Sequence, residues 1–185
     1  MRQRTIFQSN WKVGEALLTA QTYEKLSAPF RKNQKLLSAL LLLNRGLTLP
    51  IYAAYPLLLL WLLCNRDPRF LRVLLVPAIS FILLSFIRGR IDAPRPYEAL
   101  DIQPLIHKDT KGHSFPSRHV FSASVIACAF LYIIPPIGII LLIFAVLLAI
   151  VRVLGGVHFP RDVLAGFCIG LLSGWLGFVF PCFFV

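Results

Sequence analysis

Ser117–Val153 reads SRHVFSASVIACAFLYIIPPIGIILLIFAVLLAIVRV. Ser117, Arg118 and His119 stand at one end and Arg152 near the other; almost everything between them is apolar or small. A membrane crossing needs about 20 such residues. Pro135-Pro136 interrupts the run, because proline lacks the N–H that a helical ladder requires. The stretch therefore predicts two membrane helices, Ser117–Ile134 and Ile137–Val153, joined by a sharp turn. Their polar outer ends return to the same membrane face. Ionisable groups are costly near hydrocarbon and persist there chiefly when paired or functional.

Working outward, the same reading gives spans at Leu47–Cys64, with a kink expected at Pro56, at Phe70–Ile87, and at Asp162–Phe180. Asn65–Arg69 is a polar turn. Gly89–Phe115 is a long hydrophilic connection punctuated by Pro94, Pro96, Pro104 and Gly112. Gly166, Gly170, Gly174 and Gly177 in the last span predict close helix contacts. Asn10–Ala28 has apolar residues near helical spacing, including Leu17, Ala20 and Tyr23, and is expected to lie at the interface. Phe30–Asn44 reads as a second helix whose apolar part, Leu36–Leu43, is too short to span. Gly46 is its expected stop, and the packing expected is interfacial or re-entrant. The fold class is all-α: one polytopic membrane helix bundle over 1–185, with about five spans. Residues 1–45 form a basic amphipathic N-terminal region and 47–180 the helical core.

The chain has 185 residues, 57% of them hydrophobic, and a net charge of +11. Its basic residues are scattered among spans rather than gathered on a surface for a duplex, so anionic lipids are the expected partners and nucleic acid is not. Met1–Asn10 is polar and offers no cleavable signal peptide, which leaves targeting to the spans. Cys64, Cys128, Cys168 and Cys182 lie singly in or beside apolar runs. They are expected to be small packing residues, with neither zinc nor a disulfide framework indicated.

Span parity places Arg88 with Arg95-Pro96, Pro116-Ser117-Arg118-His119, and Arg152 with His158 and Asp162 on one face. Each cluster alone has an ordinary explanation. An arginine at a span end snorkels, a lone histidine is solvated or hydrogen-bonded, and an aspartate caps a helix. Their convergence points to phosphate chemistry instead. Guanidinium forks suit phosphate oxygens. Ser117 can donate a hydrogen bond, and the amides of Ser117–His119 at a helix start favour an anion. One histidine can attack phosphorus and another protonate the departing oxygen, while Asp162 orients the first imidazole if the intervening turn is helical. His107 and His113 read as loop residues, and Asp92, Glu98, Asp101 and Asp109 as solvated, with balance of the nearby arginines as the alternative for Asp92. Lys108 and Lys111 could guide anionic lipid toward the site.

The three clusters, with six residues between Arg88 and Arg95, five between Arg152 and His158, and three between His158 and Asp162, resemble the signature of the type 2 phosphatidic acid phosphatase family. That resemblance implies His158 as the nucleophile forming a phosphohistidine, Asp162 as its orienting partner and His119 as the acid. It implies a phosphate cradle of Arg88, Arg95, Ser117 and Arg152, with neither a metal nor another cofactor. The small size looks most similar to bacterial undecaprenyl-diphosphate phosphatases. Phosphatidic acid and phosphatidylglycerol phosphate are alternative substrates. Arg88 stands where the family usually has Lys, Val151 where Ser often precedes the third-cluster Arg, and Arg118 where Pro-Ser-Gly-His has Gly. Arg118 is read as an additional phosphate-binding fork suited to a diphosphate.

A lipid-phosphate binding or transport protein that keeps the pocket without turnover is the second reading. The resemblance implies a multi-pass cell-membrane enzyme with its site outside the cytoplasm. Residues 1–45 hold 8 Lys or Arg against Glu15 and Glu24, a net +6 that falls on the same face and argues for the opposite orientation.

Overall fold

The computed structural model describes residues 18–179. The first helix, α1 (Ala20–Lys32), begins where the Thr19 hydroxyl accepts the Thr22 N–H at 3.1 Å. Asn33 leaves helical geometry, and its Oδ1 accepts the Lys35 N–H at 2.9 Å, capping α2 (Gln34–Cys64). The helix boundary thus lies at Asn33, beyond the one expected before Phe30, and Pro29 sits inside α1. Most of the expected Asn10–Ala28 helix that precedes Leu18 lies outside the described residues.

The separate helix ending at Gly46 is corrected. The 31 residues of α2 run unbroken through Gly46, Pro50 and Pro56. A helix-stopping glycine needs positive φ, and Gly46 does not adopt it. Breaking the ladder between two apolar runs would strand backbone polar groups away from water. At 1.5 Å per residue α2 is about 46 Å long, against about 30 Å of hydrocarbon, so its first turns extend the first span rather than re-entering.

The chain continues through α3 (Phe70–Ile91), α4 (Pro96–Ala99), α5 (Arg118–Ile133), α6 (Pro135–Leu154) and α7 (Pro160–Val179). Asp92 in left-handed geometry ends α3, its N–H returning to the Arg88 carbonyl at 3.1 Å. Among the described residues four helical segments are long and apolar enough to cross a membrane: Gln34–Cys64, Phe70–Ala99, Pro135–Leu154 and Pro160–Val179. The fifth expected span, α5, has 16 residues and is buried along nearly its whole length. It forms the centre on which α2, α3, α6 and α7 pack.

Small side chains permit that packing. Gly166, Gly170 and Gly174 of α7 meet Ser117, Phe121, Ser124 and Cys128; a Cβ at Gly170 would stand 2.8 Å from the Phe121 carbonyl oxygen. Gly177 faces Val76 of α3 instead. Of the described cysteines only Cys128 packs in this way. Cys64 and Cys168 are exposed, which corrects their expected role, and Cys182 lies outside the described residues. Outward-facing Leu, Ile and Phe side chains cover α2, α3, α6 and α7, forming the belt that a bilayer requires.

The end of α3, the start of α5, the end of α6 and the start of α7 meet on one side, and the connection from α3 to α5 folds across them. Helix α1 lies there too: Tyr23 Oη accepts the Leu105 N–H at 3.1 Å and donates to the Gln103 carbonyl at 3.4 Å. A further small core of Leu18, Tyr23 and Phe159 joins α1 to the residue after His158.

Candidate active site

Arg88 in the last turn of α3 and Arg95 at the start of α4 are both buried, and backbone carbonyls fix their guanidinium groups. Arg88 Nη1 donates to the carbonyls of Ser114 and Pro116. Arg95 donates from Nε to the Gly112 carbonyl at 3.1 Å and from Nη1 to the Val157 carbonyl at 3.2 Å. The Glu98 carboxylate accepts the N–H groups of Arg95 and Gly112, each at 2.9 Å, tying the loop to α4. Glu98 is exposed, as expected, and it also ties down this loop.

These anchors shape a cavity of about 340 Å³. Arg88, Arg95, Arg118, Lys108 and Lys111 line it together with His113, His119 and His158, and no carboxylate is on its wall. Such a wall selects an anion. Arg118 is exposed, its guanidinium carbon 6.0 Å from the Phe81 ring centre. The His119 ring meets Tyr52 edge-on at 6.3 Å. Lys108, Lys111 and His113 are loop residues, yet the fold of the connection brings them to the cavity, while the pair His107 and Asp109 stays fully in solvent. Asp92 lies against His113, 3.3 Å from Nδ1.

His158 lies in the loop between α6 and α7 and is 1% exposed. Its Nδ1 is 3.6 Å from Asp162 Oδ2, beyond a direct hydrogen bond. Ser114 lies against both: its hydroxyl donates to Asp162 Oδ2 at 2.5 Å and lies 3.3 Å from His158 Nδ1. The same carboxylate oxygen accepts the Phe159 N–H at 3.0 Å. His158 precedes α7, so the two side chains face each other from a loop and a helix start rather than along one helical face, with Ser114 against both. Sequence reasoning missed Ser114; its place three residues before Ser117 was the available signal. Burial pushes the His158 imidazole down to about 4, against the opposing influence of Asp162. Burial and the nearby Arg95 and Arg152 guanidinium groups push the Lys108 ammonium down to about 8.

Ser117 and Arg152 do not line the cavity; both are buried beside it. Ser117 Oγ and Arg152 Nε have no hydrogen-bond partner among the described residues. The Ser117 N–H donates to the Asp162 carbonyl at 2.9 Å, so this amide is not open to an anion as expected. Among the described residues no group of three His, Cys, Asp or Glu is placed to hold a metal ion.

A family model described as the PAP2 superfamily matches residues 69–183, the stretch that carries all three polar clusters. The chain belongs to the PAP2 superfamily. It is 33% identical over 132 residues to the undecaprenyl-diphosphatase BcrC of Bacillus subtilis, a match covering 69% of this chain and 67% of that one. Its fold is similar to the crystal structure of LpxE from Aquifex aeolicus, with a TM-score of 0.68 and 24% identity, over 88% of this chain and 96% of that one. It also resembles the crystal structure of a transmembrane PAP2 type phosphatidylglycerolphosphate phosphatase from Bacillus subtilis. There the TM-score is 0.51 and the identity 25%, over 95% of this chain and 84% of that one. The all-α, multi-pass membrane architecture is that of PAP2 membrane proteins. Of this chain's departures from the PAP2 pattern, Val151 is packed in the core, whereas Arg88 and Arg118 both face the cavity.

Proposed function

We propose that this PAP2 chain is an integral-membrane phosphatase that hydrolyses a lipid phosphate or diphosphate whose tail stays in the bilayer. Undecaprenyl diphosphate is the favoured substrate, with phosphatidic acid and phosphatidylglycerol phosphate as the other two headgroups that fit the reading. The observation that carries the proposal is the meeting of His158 and His119 with Arg88, Arg95 and Arg118 on the wall of one cavity beside a buried carboxylate. A site built only to hold phosphate has no use for a neutral buried imidazole backed by Asp162, so turnover is favoured over the binding or transport reading.

In this reading the His158 Nε2 lone pair attacks phosphorus. The bond from phosphorus to the lipid-side oxygen breaks, and that oxygen takes its electron pair and a proton from His119. Arg88, Arg95 and Arg118 bear the charge of the transferring group. The family likeness also assigns Ser117 and Arg152 to the cradle, and each keeps a buried polar atom without a partner beside the cavity. His119 then removes a proton from water as the water attacks the phosphohistidine. The N–P bond breaks, inorganic phosphate leaves, and His158 is restored. No step calls for a metal.

Phosphate release from a panel of the three lipids by purified protein, with His158→Ala and His119→Ala beside wild type, tests this. Loss of turnover in His158→Ala is expected, together with loss of an acid-labile phosphoenzyme; wild-type release by that variant removes the nucleophile. The catalytic face is assigned to the outside of the cell membrane on family likeness, with the basic residues of α1 resting among headgroups. Labelling of a single cysteine at Thr110 by an impermeant reagent, in a background without native cysteines, tests the side.

A further inference from the structure

His158 and Asp162 are both buried, yet their facing atoms stand 3.6 Å apart. Ser114 Oγ lies against both, 2.5 Å from Asp162 Oδ2 and 3.3 Å from His158 Nδ1, and Ser114 is itself fully buried. A hydroxyl has one proton to give, and an ionised carboxylate can only accept. The short contact therefore takes the Ser114 proton, as expected for a charge-assisted bond. What remains on Ser114 Oγ is a lone pair facing Nδ1, which obliges His158 to carry its ring proton there. The other nitrogen, Nε2, is left with its lone pair free.

Ser114 is held in place from both sides of its own backbone. Its N–H donates to the Ala93 carbonyl at 2.8 Å, and its carbonyl accepts from Arg88 Nη1 at 3.3 Å. One residue thus joins the first polar cluster to the histidine and carboxylate of the third.

We infer that Ser114 is a positioning residue that relays Asp162 to His158, fixing the imidazole tautomer and ring orientation in which Nε2 attacks. This rests on the reading of His158 as nucleophile. As the Nε2–P bond forms and the lipid P–O bond breaks, the ring becomes cationic. The Nδ1 proton stays on the ring, the hydroxyl proton stays on Ser114, and Asp162 stays a carboxylate. The relay supplies compensating charge without moving a proton. A purely structural Ser114 would tie the loop down and leave the chemical step alone.

The test uses full-length protein in detergent micelles, with phosphatidic acid and undecaprenyl diphosphate as substrates. Ser114→Ala is expected to lower kcat by roughly 10²-fold, the scale of a misplaced reacting group, and to keep KM within about threefold. Ser114→Thr, which keeps the hydroxyl, is expected to recover most of that loss. Asp162→Asn is expected to cost little more in the Ser114→Ala background, because both changes break one chain. A Ser114→Ala enzyme with wild-type kcat overturns the relay, as do Asp162→Asn and Ser114→Ala losses that multiply in full. His158→Ala separates the two levels of the argument. If it is inactive while Ser114→Ala is unimpaired, only the relay fails; if it is as active as wild type, the nucleophile reading fails first.

Discussion

The Tyr23 ring covers Gly156, two residues before His158: a Cβ at Gly156 would stand 2.5 Å from Tyr23 Oη. Gly156 has φ of 73°, a conformation that costs other residues about 1–2 kcal/mol. The N-terminal helix thereby bears directly on the loop that presents the proposed nucleophile. The backbone bond from Ile106 N–H to the Gly155 carbonyl, 3.1 Å, holds the same loop from the other side.

Gly156→Ala is accordingly expected to lower stability by more than about 1 kcal/mol and to depress kcat. Tyr23→Phe keeps the ring and loses two hydrogen bonds, so a smaller destabilisation of about 1 kcal/mol is expected. Thermal melts in detergent, set beside turnover, check both. A Gly156→Ala protein that melts and turns over like wild type would contradict the contact.

The buried His158 gives a pH prediction. Its folded value, about 4, lies below the ordinary histidine value of 6.5. The unfolded chain therefore binds a proton as pH falls through 6.5, whereas the folded chain resists until about 4. By linkage this contribution to stability is fully present above 6.5 and is lost as pH falls through the folded value. Wild type should lose more melting temperature between pH 7 and pH 5 than His158→Gln. For activity, the nucleophile stays unprotonated throughout that range, so a wild-type acid limb near pH 6.5 arising from His158 would count against it.

Lys108 should govern the alkaline side of substrate capture. Its ammonium, pushed down to about 8, carries charge below that pH and loses it above. Wild-type kcat/KM, which reports the free enzyme, is expected to fall as pH rises through 8. Lys108→Gln should start lower and show no such fall. Identical alkaline profiles would remove Lys108 from binding.

Arg118 is exposed on the cavity wall, in the position where the family has glycine. If it binds the second phosphate of a diphosphate, Arg118→Gly should cut diphosphate turnover about tenfold, the worth of one charged hydrogen bond of about 1.5 kcal/mol. Monophosphate turnover should change much less. An equal proportional change in both would show that Arg118 does not select the second phosphate.

The sequence by itself determined the membrane fold and the side on which the polar clusters meet. Apolar runs bounded by Arg88, Ser117, Arg152 and Asp162 define spans because a bilayer leaves the backbone no alternative to helix, and the number of crossings then fixes which ends share a face. The glycines of α7 announced close helix contact for a similarly local reason, since only small residues let two backbones approach. Gly46 misled because a glycine's effect depends on φ, and φ at that position is decided by the apolar stretches on both sides.

Only the tertiary structure decided which atoms within the shared face touch. The connection between α3 and α5 has no periodic pattern that would place Lys108, Lys111 or His113 on the cavity wall. Nor does any spacing reveal that a hydroxyl from that loop touches both Asp162 and His158. Those contacts arise from the path of an irregular chain, held by carbonyls that Arg88 and Arg95 engage across 26 and 62 residues of sequence. Hydropathy acts along the chain and is legible there; hydrogen bonds between distant loops become geometry only once the helices have packed.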